Sequence, residues 1–264
     1  MKNILVPISN KNNGVNNLKY AVNFAELTGA TVYVINLHKE FSKVAGLTKV
    51  NQMLVEESEA LLSEVLRLVD TKGVTVVAKP VKGDPFEGIK RIAKQLDIDL
   101  VILSPQSVEI KDEVFLGKVA SRLVKQTQIP LLIVPKGYLF KKFETILLAL
   151  KKGRLEKETI FNTLKTFISV FNAKLKLLQV ITPDLSKEEQ TIDADLKQLS
   201  STFTITKNAT LFQGVLEHFQ SHNPDLLCVI RRKRGFFKKL WDRGVILKKD
   251  FHTSIPLLIL KGEE

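Results

Sequence analysis

Short apolar runs alternate along the chain with longer segments whose apolar residues recur every three or four positions. The first run, Ile4-Leu5-Val6-Pro7-Ile8, has the near-continuous hydrophobicity of a strand buried on both faces. A helix is predicted over about 13–28, where Leu18, Ala21, Val22, Ala25 and Leu27 share one face and Gly29 supplies a C-terminal stop. Residues 31–37 predict a second strand. Residues 50–69 predict a longer helix with Leu54, Leu61, Leu62, Val65 and Leu66 pointing inward. A third strand is expected at 74–80. Gly83-Asp84-Pro85 follows, with Asp84 suited to cap a helix and Pro85 to its first position. That helix runs to about Leu96, a fourth strand covers 99–103, a helix 118–125 and a fifth strand 130–134. Strands alternating with helices imply a parallel sheet covered on both faces.

After Lys136-Gly137 the series starts again. Strands are predicted at 145–150, 175–181, 202–206, 225–229 and 255–260, and helices at 155–171, 187–199, 210–220 and 245–251. The repeat can be checked residue by residue. At a constant offset of 126, Phe86 falls on Phe212, Gly88 on Gly214, Asp99 on Asp225, Thr127 on Thr253 and Pro130 on Pro256. The first strands align at an offset of 142, so the second copy is about 16 residues shorter, mostly around its second helix. The expected architecture is α/β: two tandem, doubly wound, five-stranded parallel-sheet domains over 1–139 and 140–264, the second shorter.

Composition narrows the setting without naming the role. A chain of 264 residues with 44% hydrophobic residues can bury two cores of ordinary size. The single cysteine, Cys228, excludes an intrachain disulfide framework, and its place in an apolar run reads as a small core residue. No apolar run approaches the roughly 20 residues of a membrane span, and the N-terminus lacks the pattern of a signal peptide, so a soluble cytoplasmic protein is expected. A formal charge of +12 favours anionic partners without choosing among nucleotides, nucleic acid, lipid or acidic proteins.

In open parallel sheets, ligands sit beyond the carboxyl ends of the strands, where strand order reverses. The order of elements resembles the universal stress protein family, a branch of the adenine-nucleotide α-hydrolase-like, Rossmann-like proteins. The segments carrying the likeness are Ile4-Leu5-Val6-Pro7, Gly83-Asp84-Pro85, Asp99-Leu100-Val101-Ile102, and Gly117-Lys118-Val119-Ala120 leading to Ile129-Pro130-Leu131-Leu132-Ile133-Val134. The resemblance implies a binding or signalling role in a stress response rather than catalysis, with an adenine nucleotide such as ATP or AMP as the ligand. It also implies pairing through the last strands, which two fused copies could satisfy as an intrachain pseudo-dimer, with a homodimer also open. ATP-binding members carry an aspartate after the first strand and a loop G-x2-G-x9-G-[ST] after the fourth. Here the corresponding positions hold Ser9, then Ser104, Ser107, Gly117 and Lys118. The spacing is kept, but two glycines and the aspartate have become serines, which hinders close backbone approach of a phosphate. In the second half the positions hold Lys151, Ile230, Lys233, Arg243 and Gly244, so family-type binding is expected to be lost there.

Two other constellations stand out. In the stretch 231–241, six of the first nine residues are cationic and three residues are aromatic. It suits a solvated loop, an anion or lipid sensor, or a nucleic-acid backbone, the last disfavoured because no recognised reading module accompanies it. His218 and His222 have metal-ligand spacing on a predicted helix, but acidic or cysteine partners are not evident nearby, so a surface reading is preferred and no metal is expected. No G-x-S-x-G elbow, P-loop or Cys–His pairing occurs, and no catalytic residue is assigned. The alternative from a different class is a nucleotide hydrolase or adenylyl-transfer enzyme using the first pocket, with carboxylates only at Asp84, Glu109, Asp112 and Glu113 in nearby loops.

Overall fold

A computed structural model describes residues 1–39, 41, 47–104, 117–153, 158–230 and 255–260. The chain divides after Phe140 into two compact units. In the first, β1 (Asn3–Ile8), α1 (Lys11–Thr28), β2 (Thr31–His38), α2 (Leu47–Arg67), β3 (Val76–Lys82), α3 (Pro85–Gln95), β4 (Leu100–Leu103), α4 (Gly117–Gln126) and β5 (Leu131–Ile133) follow one another. The strands run in the order β3-β2-β1-β4-β5, all parallel. Every residue of β4 and β5 is buried, as the continuous apolar runs predict. β3 sits at an edge of the unit's strand order, where a proline, Pro80, costs no ladder bond in the interior. It starts two residues later than its pattern suggests. The turn before it holds Lys72 and Gly73 at positive φ and binds Val74 N–H to the Thr71 carbonyl, which takes Val74 out of the strand.

The second unit contains β6 (Thr145–Leu150), α5 (Asn162–Phe171), β7 (Lys174–Ile181), α6 (Ala194–Leu199), β8 (Thr202–Lys207), α7 (Leu211–His222), β9 (Leu226–Ile230) and β10 (Leu257–Leu260). Its order is β10-β9-β6-β7-β8, again all parallel. This is the order of the first unit with each strand replaced by its repeat counterpart. The predicted helix at 245–251 lies outside the described residues. The shortening of the second copy is concentrated where the pattern placed it: α2 has 21 residues and α6 has six. The expected helix over 187–199 is instead a 3-10 turn, Glu188–Gln190, followed by α6. Backbone groups between the two are taken up by tertiary partners, described below, and cannot join a continuous helix.

The duplication extends to individual hydrogen bonds. Asp99, just before β4, accepts from the backbone N–H of Lys2 (2.5 Å) and Asn3 (3.0 Å) at the start of β1. Asp225, just before β9, accepts from Glu144 (2.9 Å) and Thr145 (3.0 Å) at the start of β6. Asp84 caps α3 through the N–H groups of Phe86 and Glu87, and its counterpart Thr210 caps α7 through Gln213. Gly88 and Gly214 are likewise equivalent. A Cβ on Gly88 would meet the Leu37 side chain at 2.2 Å, and one on Gly214 would meet both Val180 methyls at 2.7 Å. Each glycine therefore lets its helix lie directly on the sheet.

Candidate functional site

The reversal of strand order in the first unit falls between β1 and β4, whose register pairs Leu5 with Val101. Their carboxyl ends therefore emerge side by side, with Ser9 following β1 and Ser104 following β4. Ser9 is exposed. The next residue, Asn10, caps α1 by accepting from the N–H of Asn13 at 3.0 Å. Ser104 is half-buried, and its hydroxyl donates to Oδ1 of Asn17 on α1 at 2.5 Å. Its proton is thus committed to Asn17, leaving its oxygen as an acceptor. On the other side of β1, buried Asn36 of β2 donates Nδ2–H to the carbonyl of Ile8 at 2.9 Å. Two side-chain amides from neighbouring elements so fix the backbone and the serine at the strand ends.

Gly117 opens α4, with Lys118 the second residue of that helix, so the predicted glycine position stands at a helix N-terminus, where backbone N–H groups favour an anion. Ser107 lies outside the described residues. α4 is tied to α3 by Arg122, whose guanidinium stands 4.1 Å over the Phe86 ring and reaches Asp84 at 3.4 Å and Glu87 at 3.8 Å. Asn17 and Asn36 belong to no motif in the sequence. The available signal was an amide interrupting an otherwise apolar face, Asn17 beside Leu18 and Asn36 after Val34-Ile35. Asn36→Leu leaves the Ile8 carbonyl without this partner and is expected to cost about 1–3 kcal/mol, read as a lower midpoint in urea unfolding.

The equivalent place in the second unit is built differently. Lys151 and Lys152 follow β6, and the chain leaving β7 folds over them. Lys151 Nζ contacts Asp184 Oδ2 at 2.5 Å, and Lys152 forms an ion pair with Glu189. Gln179, the counterpart of Asn36, is buried, and it donates to the carbonyls of Gln190 (2.8 Å) and Lys151 (3.4 Å). Gly153 and Ile192 form a parallel β-bridge, and Asp193 N–H donates to the Gly153 carbonyl at 3.3 Å. The two backbones are so close that a Cβ on Gly153 would come within 2.6 Å of the Ile192 Cα. Leu185 and Ile192 anchor the segment by burying their side chains. Hydrogen bonds from Lys151 and Thr182 hold the Asp184 carboxyl down at about 2, and Lys152 with the Ser186 N–H holds that of Glu189 below its ordinary range. Ile230, at the end of β9, is buried, whereas Lys233, Arg243, Gly244 and the basic stretch 231–241 lie outside the described residues.

Cys228 is fully buried in β9, and burial pushes its thiol well above its ordinary value, consistent with a core residue. Among the described residues, no group of three or more His, Cys, Asp or Glu could hold a metal ion, and no helix is long and apolar enough to cross a membrane.

A doubly wound parallel α/β unit with a reversal of strand order at its centre, present twice in one chain, defines the class: a tandem Rossmann-like fold. Residues 1–135 match the universal stress protein family. Over 141 residues the chain is 26% identical to universal stress protein MJ0531 of Methanocaldococcus jannaschii, covering 51% of this chain and 82% of that protein. It is also similar in fold to a universal stress protein from Archaeoglobus fulgidus, with a TM-score of 0.71 at 16% identity over 98% of this chain and 96% of the other. A universal stress protein from Pseudomonas aeruginosa, described as putative, gives a TM-score of 0.63 at 16% identity over 99% and 94%. The chain belongs to the universal stress protein family.

Proposed function

We propose that this protein is a stress-response binding module whose first unit takes an adenine nucleotide, ATP or AMP, in the crevice beyond β1 and β4. Its second unit serves as a scaffold copy that does not bind nucleotide in the family manner. The observation carrying this reading is the contrast between the two switch points. In the first unit, small side chains, Ser9 and Ser104, stand at adjacent strand ends, and a helix opens with Gly117. In the second, Lys151 and buried Ile230 take the corresponding places, and the chain leaving β7 covers the lysine. Lys118 and Ser107 are assigned to the first site by their spacing from Ser104 and Gly117. Ser104 is assigned an accepting role toward ribose hydroxyls rather than a donating one toward phosphate, because its proton already serves Asn17.

The test is direct. Mass spectrometry of the purified chain is expected to find co-purified adenine nucleotide, and calorimetry with ATP, AMP and cyclic nucleotides ranks the ligands. Gly117→Leu is expected to weaken ATP binding by at least about tenfold, by placing a bulky side chain at the first residue of α4, where backbone N–H groups would meet the phosphate. Unchanged affinity in that variant rules out this crevice. A module acting through its bound state returns ATP intact after prolonged incubation, whereas steady release of ADP or AMP favours the enzyme reading.

A further inference from the structure

The segment covering the second switch point has the chemistry of a bound anion. Asp184 and Glu189 bring carboxylates onto the ammonium groups of Lys151 and Lys152, the first residues beyond β6. This is where a ligand of an open parallel sheet is placed, at the carboxyl end of the strand beside the reversal of order. The neighbouring contacts hold the segment in register: the Gly153–Ile192 bridge, Gln179 on the Gln190 carbonyl, and Thr182 donating to Asp184 at 2.6 Å. Each ion pair keeps part of its surface in solvent. The Asp184 side chain is 75% exposed, those of Lys152 and Glu189 are 42% and 35% exposed, and Lys151 beneath the segment keeps 27%. Exposed pairs of this kind are weak and screened, so a solute with several closely spaced negative charges can compete for both ammoniums.

We propose that residues 184–192 act as an internal pseudo-ligand over a latent oligophosphate site formed by Lys151 and Lys152 of the second unit. A chain of linked phosphates matches the two adjacent lysines better than single carboxylates do, because its charges are multiple and joined. Binding exchanges the carboxylates of Asp184 and Glu189 for phosphate oxygens and loosens residues 186–190 at the β6 end, while Leu185 and Ile192 keep their side chains buried. The ligand class is a condensed phosphate, either inorganic or the triphosphate of a nucleotide. This site is independent of the first unit's crevice, since none of its residues belongs to that unit.

The experiment uses the full chain and sodium tripolyphosphate at matched ionic strength. In the wild type, tripolyphosphate is expected to raise amide hydrogen exchange across 182–193 several-fold while leaving β7 and β8 unchanged. Asp184→Asn with Glu189→Gln is expected to tighten tripolyphosphate binding by about tenfold, as two competing exposed ion pairs are removed. Lys151→Met with Lys152→Met is expected to abolish the exchange response. ATP should reproduce the response and adenosine should not, which separates the phosphate chain from the base; a larger response to ATP than to tripolyphosphate identifies a nucleotide triphosphate as the preferred source. The proposal is overturned by an unaltered exchange pattern across 182–193 in saturating tripolyphosphate. It is equally overturned if the response persists in the lysine variant, or if adenosine matches ATP. The wild-type arm needs no substitution, so the proposal can still fail even where a variant misfolds.

Discussion

Phe143→Ala is expected to destabilise the second unit by about 3–5 kcal/mol, the range for truncating a fully buried aromatic side chain. Phe143 has no exposed surface, and it stacks with Phe167 at 6.0 Å and meets Phe171 edge-on at 4.7 Å. Both partners project from α5, so this one ring fastens the helix to the chain entering β6. The cavity left by alanine would remove the dispersion contacts and the aromatic pairing together. A chain of two units need not unfold in a single transition, so the measurement is amide exchange in α5 and β6 peptides against those of α1 and β1. Protection is expected to fall in the former and persist in the latter. Phe143→Leu, which keeps most of the volume, should recover the larger part of the loss.

Asp225→Ala is expected to cost about 1.5–3 kcal/mol, because it strips a charged acceptor from two backbone N–H groups at the start of β6. Burial raises the pKa of this carboxyl, but the Lys141 ammonium at 2.6 Å and the two N–H groups outweigh it, and the net value lies below the ordinary 3.8. A depressed folded-state value means that the unfolded chain takes up its proton first as the solution is acidified. The contribution is therefore complete above about pH 4 and fades as the pH falls through the folded-state value. Urea unfolding of wild type and variant at pH 7 and below pH 4 checks the sign: the gap between them should narrow in acid.

Much of the architecture was legible because the central strands β1, β4, β6 and β9 are buried on both faces and write themselves as apolar runs. β4 and β9 align at the offset of 126 found in the sequence, and Asp99 and Asp225 at that same offset perform the same hydrogen-bonding task. The departures share one physical origin. The pattern over 187–199 has helical spacing, yet the Gln190 carbonyl and the Ile192 backbone are claimed by Gln179 and Gly153, residues distant in sequence. Local propensity carries no information about such partners. The candidate crevice is located by the strand ends and by residue spacing. Its supporting amides, Asn17 and Asn36, are silent in the sequence because an asparagine in an apolar context is informative only once its acceptor or donor is known. The pairing of Lys151 and Lys152 with Asp184 and Glu189 is hidden for the same reason, as the partners lie 33 and 37 positions apart.

Cys228 sits in β9 between Leu148 of β6 and Leu258 of β10, and is the sole thiol of the chain. A water-soluble disulfide reagent can reach it only when those strands part. The rate of labelling at low denaturant thus becomes a stopwatch for opening of the second unit's interior, with no engineered probe and no signal from the first. The same sulfur would report, in one assay, whether a ligand captured by that unit slows its opening.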